Sequence, residues 1–322
     1  MGLRIIEEGF ITTIQDLGRY GYQSFGFSVN GVMDNWAMRL ANIALNNHET
    51  EAVLEMSFLG PSIEFEEDMI ICLSGADMSP SINEKPVTNG KPLTVNQGDT
   101  LQLRTAKTGI HCYLAVKGGL KIPEVLHSKS TDMKVELGGF QGRKLQTGDV
   151  IPIHQPMKSR PFNWYLSKKL FSYLDQNPTV IHFIEGKQYD WFTEESKQTF
   201  ENELFQLSTQ SDRMGYRLTG PSLHFKKQQE LITEGVSFGT IQVPSSGHPI
   251  VLMADRQPTG GYPKIGQVIQ ADLPLFSQLR PSKAFTFKKC SLSDAYRRLL
   301  ATETELNQIR SATKLRWEAI DS

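Results

Sequence analysis

The chain has 322 residues, 39% of them hydrophobic, enough for one large globular domain or two of ordinary size. Its 34 lysines and arginines nearly cancel 35 aspartates and glutamates, so no large positive field exists to neutralise phosphates and nucleic-acid binding is not expected. No apolar run approaches bilayer length, Met1 to Glu8 carries no secretory h-region, and Ile6 stands where myristoylation needs Ser or Thr; a cytoplasmic protein without membrane attachment is expected.

Asp34 is placed to cap a helix over residues 35–46, with Trp36, Leu40 and Ile43 on one face. Residues 69–74 form a compact apolar run that Gly75 is expected to end. Gly98-Asp99 precedes alternating residues 100–104, Gly109 precedes 111–116, and Gly148-Asp149 precedes 150–153. Turn residues followed by alternating or wholly apolar runs, about every ten residues, indicate a mainly β chain of barrel or sandwich type. A second helix is predicted over 162–175, ended by Asn177-Pro178. A third starts near Thr193, where Glu194 and Glu195 suit the N-terminal dipole. Residues 293–320 read as a long polar helix with Tyr296, Leu299, Leu306, Ile309 and Trp317 at helical spacing, an arm or partner contact rather than a core element.

Gly60-Pro61-Ser62-Ile63-Glu64-Phe65 returns as Gly220-Pro221-Ser222-Leu223-His224-Phe225, 160 positions on (220 minus 60). With its strand-rich surroundings this suggests two β modules, assigned to residues 1–160 and 161–290, with a C-terminal helix over 291–322; the seam falls in 155–163 or just after the next helix. Cys72, Cys112 and Cys290 are odd in number, widely spaced and without C-x-x-C, so buried, inert thiols are expected rather than a disulfide framework or zinc site. The seven histidines lack H-x-H or H-E-x-x-H spacing, and no metal site is expected.

Four polar clusters are denser than folding requires. Gln15 and Arg19 lie in the first, over 12–21. Ser130, Thr131 and Asp132 end the second, followed by Gly138-Gly139-Phe140-Gln141-Gly142-Arg143. Ser211, Asp212 and Arg213 form the third. Asp212-Arg213 reads equally as a turn with a local salt bridge, and the glycines 139 and 142 as strand ends or a phosphate cradle. No Walker motif or G-x-G-x-x-G occurs, and no serine-hydrolase nucleophile elbow is expected.

The fourth cluster runs from Gln242 to residues 254–264, A-D-R-Q-P-T-G-G-Y-P-K. Residues 250–254 read as a buried strand that presents Asp255, Arg256 and Gln257 where it ends. Pro258 stops the ladder, Gly260-Gly261 permits close backbone approach, and Tyr262 and Lys264 follow. A carboxylate, guanidinium, amide, phenol and ammonium so close together suit a small anionic or amide substrate. An Asp-Arg pair bracing a turn is the alternative, and the residues by themselves leave both open.

Together the clusters resemble the allophanate hydrolase subunit 2 or KipI-antagonist family, whose members include the C component of bacterial 5-oxoprolinase. The resemblance rests on Thr13-Ile14-Gln15-Asp16-Leu17-Gly18-Arg19, Gly31-Val32-Met33-Asp34, Asn42, Leu54-Glu55, Leu114-Ala115-Val116-Lys117-Gly118-Gly119, Ser130-Thr131-Asp132, residues 138–143, Ser211-Asp212-Arg213-Met214-Gly215, Gly239-x-Ile241-Gln242-Val243-Pro244 and 254–264. It covers roughly residues 3–290. Lys129 departs from the family's arginine and loses the bidentate fork. The resemblance implies two cyclophilin-like β-barrels with a few helices and a C-terminal helix. It also implies similarity to biotin-dependent carboxyltransferases, although no Met-Lys-Met-like biotinylation site or ATP-grasp region is present.

The activity implied is that of one component of an ATP-dependent 5-oxoprolinase, a hetero-oligomer completed by a KipI-like chain and a LamB/YcsF-like chain. It would carry no covalently bound cofactor and use ATP as co-substrate of the complex. The alternatives are a biotin-dependent carboxyltransferase component of urea or allophanate type, and a regulatory antagonist of a KipI-like kinase inhibitor. On the oxoprolinase reading, Arg256 holds the substrate carboxylate or phosphoryl oxygens. Asp255 moves a proton or orients Arg256, and Gln242 and Tyr262 contact the amide. Catalytic roles are thus expected for Asp255, Arg256, Tyr262 and Lys264. Substrate binding is expected of Gln242, Gln257, Ser211, Asp212, Arg213, Ser130, Thr131, Asp132, Gln15 and Arg19, without a metal.

Overall fold

The computed structural model describes residues 2–156, 161–227, 229, 231–281 and 283–321; it is mainly β, with few helices and a long one at the C-terminus. Two compact units form. Met1–Arg19, Asn30–Asp175 and Thr304–Ser322 make the first, and Tyr20–Val29 with Gln176–Glu303 the second.

The first unit holds two antiparallel sheets. One runs in the order Val150–Pro152, Gly2–Glu7, Ser62–Phe65, Thr100–Gln102, Ser81–Ile82, Lys85–Pro86; the other Ile11–Gln15, Val53–Ser57, Thr108–Val116, Met69–Asp77, Leu93–Val95. Leu3, Ile63, Phe65 and Ile151 from one and Leu54, Ile71, Leu73 and Leu114 from the other share a core. The opposite face of the second sheet carries Val53, Ile70, Cys72, Tyr113 and Ala115 and is covered by the helix Asn35–Ala44. Residues 69–73 are wholly apolar because both of their faces are covered. The strand does not end at Gly75. That residue, at φ +82, sits at a register shift opposite Cys112, and a Cβ there would lie 2.5 Å from the His111 carbonyl oxygen. Here glycine makes a bulge rather than a stop.

The Asp34 carboxylate accepts the Ala37 N–H at 3.0 Å and caps the helix as expected. Behind the cap, the Tyr113 hydroxyl donates to Glu55 at 2.8 Å and accepts the Asp34 N–H at 2.8 Å; the same Glu55 oxygen accepts the Met33 N–H at 2.7 Å. Burial, then the Glu55 and Asp34 carboxylates, push the Tyr113 phenol well above its ordinary value, so it remains a donor. Tyr113→Phe removes one of the two donors to the Glu55 oxygen and the hydroxyl that accepts the buried Asp34 N–H, and should cost about 1–3 kcal/mol in urea unfolding. A change below a few tenths would show that the hydroxyl is dispensable.

Three further expectations need correction. Residues 162–175 are not one α-helix: 162–167 are irregular, and Lys168–Asp175 is a 3₁₀ helix. Leu166 N–H bonds the Gly90 carbonyl, Trp36 bonds the Leu170 carbonyl, and Phe162 packs on Trp317, so tertiary contacts at non-helical spacing prevail. The helix Leu292–Asp321 is not merely an arm: Leu306 and Trp317 are buried in the first unit's core, and the Trp317 indole bonds the Ala44 carbonyl at 3.0 Å. Cys72 and Cys112 are buried, and burial pushes the Cys112 thiol up to about 12, but Cys290 is half-buried. The sequence echo is also uneven, since Ser62–Phe65 is a strand while its counterpart contributes only a bridge from Phe225 to Phe192.

The second unit is built on a seven-stranded sheet, ordered Gln206–Leu207, Gly215–Thr219, Ile250–Leu252, Thr240–Gln242, Lys264–Val268, Val180–Glu185, Thr286–Lys289. Only the last pair is parallel. Phe183, Phe200, Phe205, Phe276, Phe285 and Phe287 form its core, most of their pairs meeting edge to face. Thr193 caps the helix Glu194–Asn202. Among the described residues, no helix is long and apolar enough to cross a membrane.

Candidate functional site

Strand Ile250–Leu252 lies inside the seven-stranded sheet, and its extension hands Asp255 and Arg256 to the sheet's end. Met253 N–H bonds the Met214 carbonyl and Asp255 N–H the Arg213 carbonyl at 2.8 Å, so the ladder continues to the turn. There Arg213 donates through Nε and Nη2 to both oxygens of Asp255, at 2.8 and 2.9 Å, a bidentate fork with both side chains largely buried. Ser211 and Asp212 shape the turn: Ser211 Oγ accepts the Arg217 N–H, and Asp212 accepts those of Met214 and Gly215. Asp255 is thus tied to Arg213, not to its neighbour Arg256, and Arg213 is tied to Asp255, not to its neighbour Asp212.

Arg256 is differently placed. It is 8% exposed, yet no carboxylate among the described residues forms an ion pair with it. One terminal nitrogen, Nη1, reaches the Met253 and Ala254 carbonyls at 3.4 Å each, and the buried Nε has no hydrogen-bond partner among the described residues. The Phe238 ring lies 5.9 Å from its Cζ. Burial pulls the guanidinium below its ordinary value, while Tyr20 and Asp255 act electrostatically to raise it. A buried guanidinium with an idle donor costs desolvation that its surroundings do not repay.

The rest of the segment leads away from Arg256. Residues 258–260 run antiparallel to 234–236: Val236 N–H bonds the Pro258 carbonyl, and Gly260 pairs with Glu234. Lys264 pairs with Gln242, at the other end of the strand Thr240–Gln242 from Phe238. Three residues of strand place the two ends roughly 7–10 Å apart. At the far end, a Cβ on Gly260 would sit 2.4 Å from Gln242 Nε2, which explains the glycine; the Gln242 amide itself bonds the Tyr262 carbonyl at 3.4 Å. Tyr262 and Gln257 are exposed. A pocket of about 690 Å³ opens here, lined in part by Trp191, Phe225, Lys227, Ser245 and Tyr262.

Lys264 is buried and donates to Glu234 at 2.9 Å. Glu234 also accepts from Lys187, and these bonds, Lys187's first, hold its carboxyl at about 2 against an ordinary 4.5. A folded value below the ordinary one stabilises the protein above about 4.5, and that gain is lost as pH falls toward 2. Glu234→Gln should therefore differ most from wild type in urea midpoint at neutral pH, and the difference should shrink below pH 4.5. A gap that stays constant through the acid range would refute the linkage.

Gln15, Arg19, Ser130, Thr131 and Asp132 belong to the first unit, where most of their polar atoms bond locally, although the buried Gln15 Oε1 has no partner among the described residues. Gln15 donates to Thr13 and to the Thr131 carbonyl, and Arg19, fully buried, donates to Asn30 at 2.6 Å and to the Ser130 carbonyl at 2.7 Å. Asp16 accepts from the hydroxyls of Ser128 and Ser130. Asp132 caps its own turn through the N–H of Lys134. Among the described residues, no group of three or more His, Cys, Asp or Glu side chains could hold a metal.

The sequence pattern described as carboxyltransferase domain, subdomain A and B, matches residues 25–289. The chain belongs to this carboxyltransferase-domain family. A relative from Haemophilus influenzae, named as the C subunit of 5-oxoprolinase, is 38% identical over 92% of this chain and 94% of its own length. The protein of the same name from Escherichia coli is 37% identical over 91% and 93%. The urea amidolyase of K. lactis superposes with a TM-score of 0.88 at 28% identity; the match covers 95% of this chain but spans only 20% of the amidolyase.

Within this carboxyltransferase-domain chain, residues 130–132, 211–213, Gln242 and 255–264 fall inside the matched stretch, whereas Gln15 and Arg19 precede it. Sequence reasoning missed Tyr20, Glu234 and Phe238. Tyr20 belongs to the second unit although it stands next to Arg19, and its place in the first polar cluster was its only signal. Glu234 and Phe238 come from a segment whose relation to 255–260 is visible only once the ladder is formed.

Proposed function

We propose that this chain is one component of an ATP-dependent 5-oxoprolinase, working in the cytoplasm with a KipI-like and a LamB/YcsF-like chain to open 5-oxoproline to glutamate. Near full-length correspondence with two proteins named as the C subunit of 5-oxoprolinase carries the choice. A five-membered lactam is a resonance-stabilised amide; phosphorylating its oxygen at the expense of ATP opens the ring carbon to water. Such chemistry needs fixed donors for carboxylate or phosphoryl oxygens. Arg256, buried and under-bonded, is the group best suited to that task. Asp255, with both oxygens on Arg213, acts in this reading by holding the turn that presents Arg256. Gln242, Tyr262 and Lys264 serve the pocket end of the segment. The test is ATP-dependent glutamate release by the three co-expressed chains: turnover that vanishes when this chain is omitted supports the proposal, and turnover without it overturns it.

A carboxyltransferase reading is favoured by the family match and by the superposition on urea amidolyase. An avidin-reactive partner in a pull-down, together with no glutamate release, would select it.

A further inference from the structure

Arg256 has few bonds of its own, so something else must fix where its guanidinium points. The segment 237–240, which carries Phe238, is held by the side-chain amide of Gln267. Gln267 Oε1 accepts from Ser237 Oγ and Thr240 Oγ1 at 2.9 Å each, and its Nε2 donates to the carbonyls of Phe238 at 2.6 Å and Val268 at 3.2 Å. Carbonyls can only accept, so the amide nitrogen must face Phe238. The turn is closed by Gly239 N–H on the Leu252 carbonyl at 2.7 Å, which joins it to the strand that delivers Arg256. Gly239 has φ +86, and a Cβ there would lie 2.8 Å from Gln267 Nε2. The turn is therefore built around the amide, and its product is a phenyl ring set 5.9 Å from the Arg256 Cζ.

We infer that Gln267 and Phe238 are positioning residues: Gln267 fixes the turn, and the face of Phe238 aims the Arg256 guanidinium so that its idle donors meet an anion. The inference rests on the reading of Arg256 as the anion-binding group. An aromatic face constrains a guanidinium plane without using up its donors, which a carboxylate partner would occupy.

The assembled complex is assayed for ATP-dependent glutamate release with five variants, Gln267→Ala, Phe238→Leu, Phe238→Trp, Arg256→Ala and Arg256→Lys, and arginine Nε–H resonances are recorded on the full chain labelled with ¹⁵N-arginine. Gln267→Ala and Phe238→Leu should each raise the KM for 5-oxoproline about tenfold, the scale of one lost cation–π contact or orientation. Phe238→Trp, which restores a π face, should recover most of that loss. The Arg256 Nε–H signal, identified by its absence in Arg256→Lys, should move in Phe238→Leu. Wild-type kinetics in Gln267→Ala and Phe238→Leu, alongside a dead Arg256→Ala complex, would overturn the inference and leave the anion site standing. Equal losses in Phe238→Leu and Phe238→Trp would also overturn it, because bulk rather than the ring face would then matter. Normal turnover by Arg256→Ala would remove both.

Discussion

Arg256→Ala should lower kcat/KM of the assembled complex for 5-oxoproline by roughly 10²–10³-fold, the usual loss when one preorganised donor to developing charge is removed. Arg256→Lys should recover little, because an ammonium cannot reproduce the planar fork. The same site predicts the opposite effect on stability. The guanidinium is buried, its Nε is unbonded, and its two carbonyl contacts are long. Arg256→Met keeps much of the volume and removes the desolvated charge, so it should leave the fold unchanged or raise its stability by about 1 kcal/mol. Urea unfolding and steady-state rates on the same preparations would show a variant that folds better and works worse. If Arg256→Met instead destabilised the chain by several kcal/mol, Arg256 would be part of the scaffold and the anion assignment would fail.

Breaking the fork between Arg213 and Asp255 should be costly in the ordinary direction. The side chains are 8% and 13% exposed, and both carboxylate oxygens are bonded. Removing either partner leaves a charge in poor solvent, so Arg213→Met and Asp255→Leu should each cost about 3 kcal/mol or more. The double variant should cost much less than the two together, since no orphan charge remains. A double-mutant cycle by urea unfolding should return a coupling above about 2 kcal/mol. Additive single effects would mean that the pair behaves like a surface contact worth about 1 kcal/mol or less.

How far the sequence can be read depends on whether the deciding interaction is local. The helix over 35–44 is legible because Asp34 caps it three residues away. The strand over 69–77 is legible as apolar, but Gly75 reads as an end because a bulge is defined by the partner strand. The helix expected over 162–175 fails because Gly90, Trp36 and Trp317 hold those residues elsewhere. In the candidate site the chemistry of residues 254–264 is visible in the sequence and the geometry is not. Asp255 finds its partner 42 positions earlier, and Lys264 finds Glu234 30 positions earlier. Residues 15, 19 and 130–132 are as polar as a site should be, yet the Gln15 amide nitrogen, the Arg19 guanidinium and the Asp132 carboxylate bond to neighbouring loops.

Neither compact unit is continuous in the chain, and this bears on synthesis. Residues 20–29 leave the ribosome early but belong with residues 176–303, while Leu306 and Trp317, buried in the first unit, emerge after both. The core between the two sheets draws on residues 3–153 alone, but the layer on the second sheet's outer face is completed only once Trp317 has been made and its indole can bond the Ala44 carbonyl. Completion of the first unit before the second has been synthesised is therefore denied to this chain. A fragment stopped near residue 175 would expose apolar surface to chaperones and proteases, and co-expressing the two halves of the sequence would not recover two independent domains.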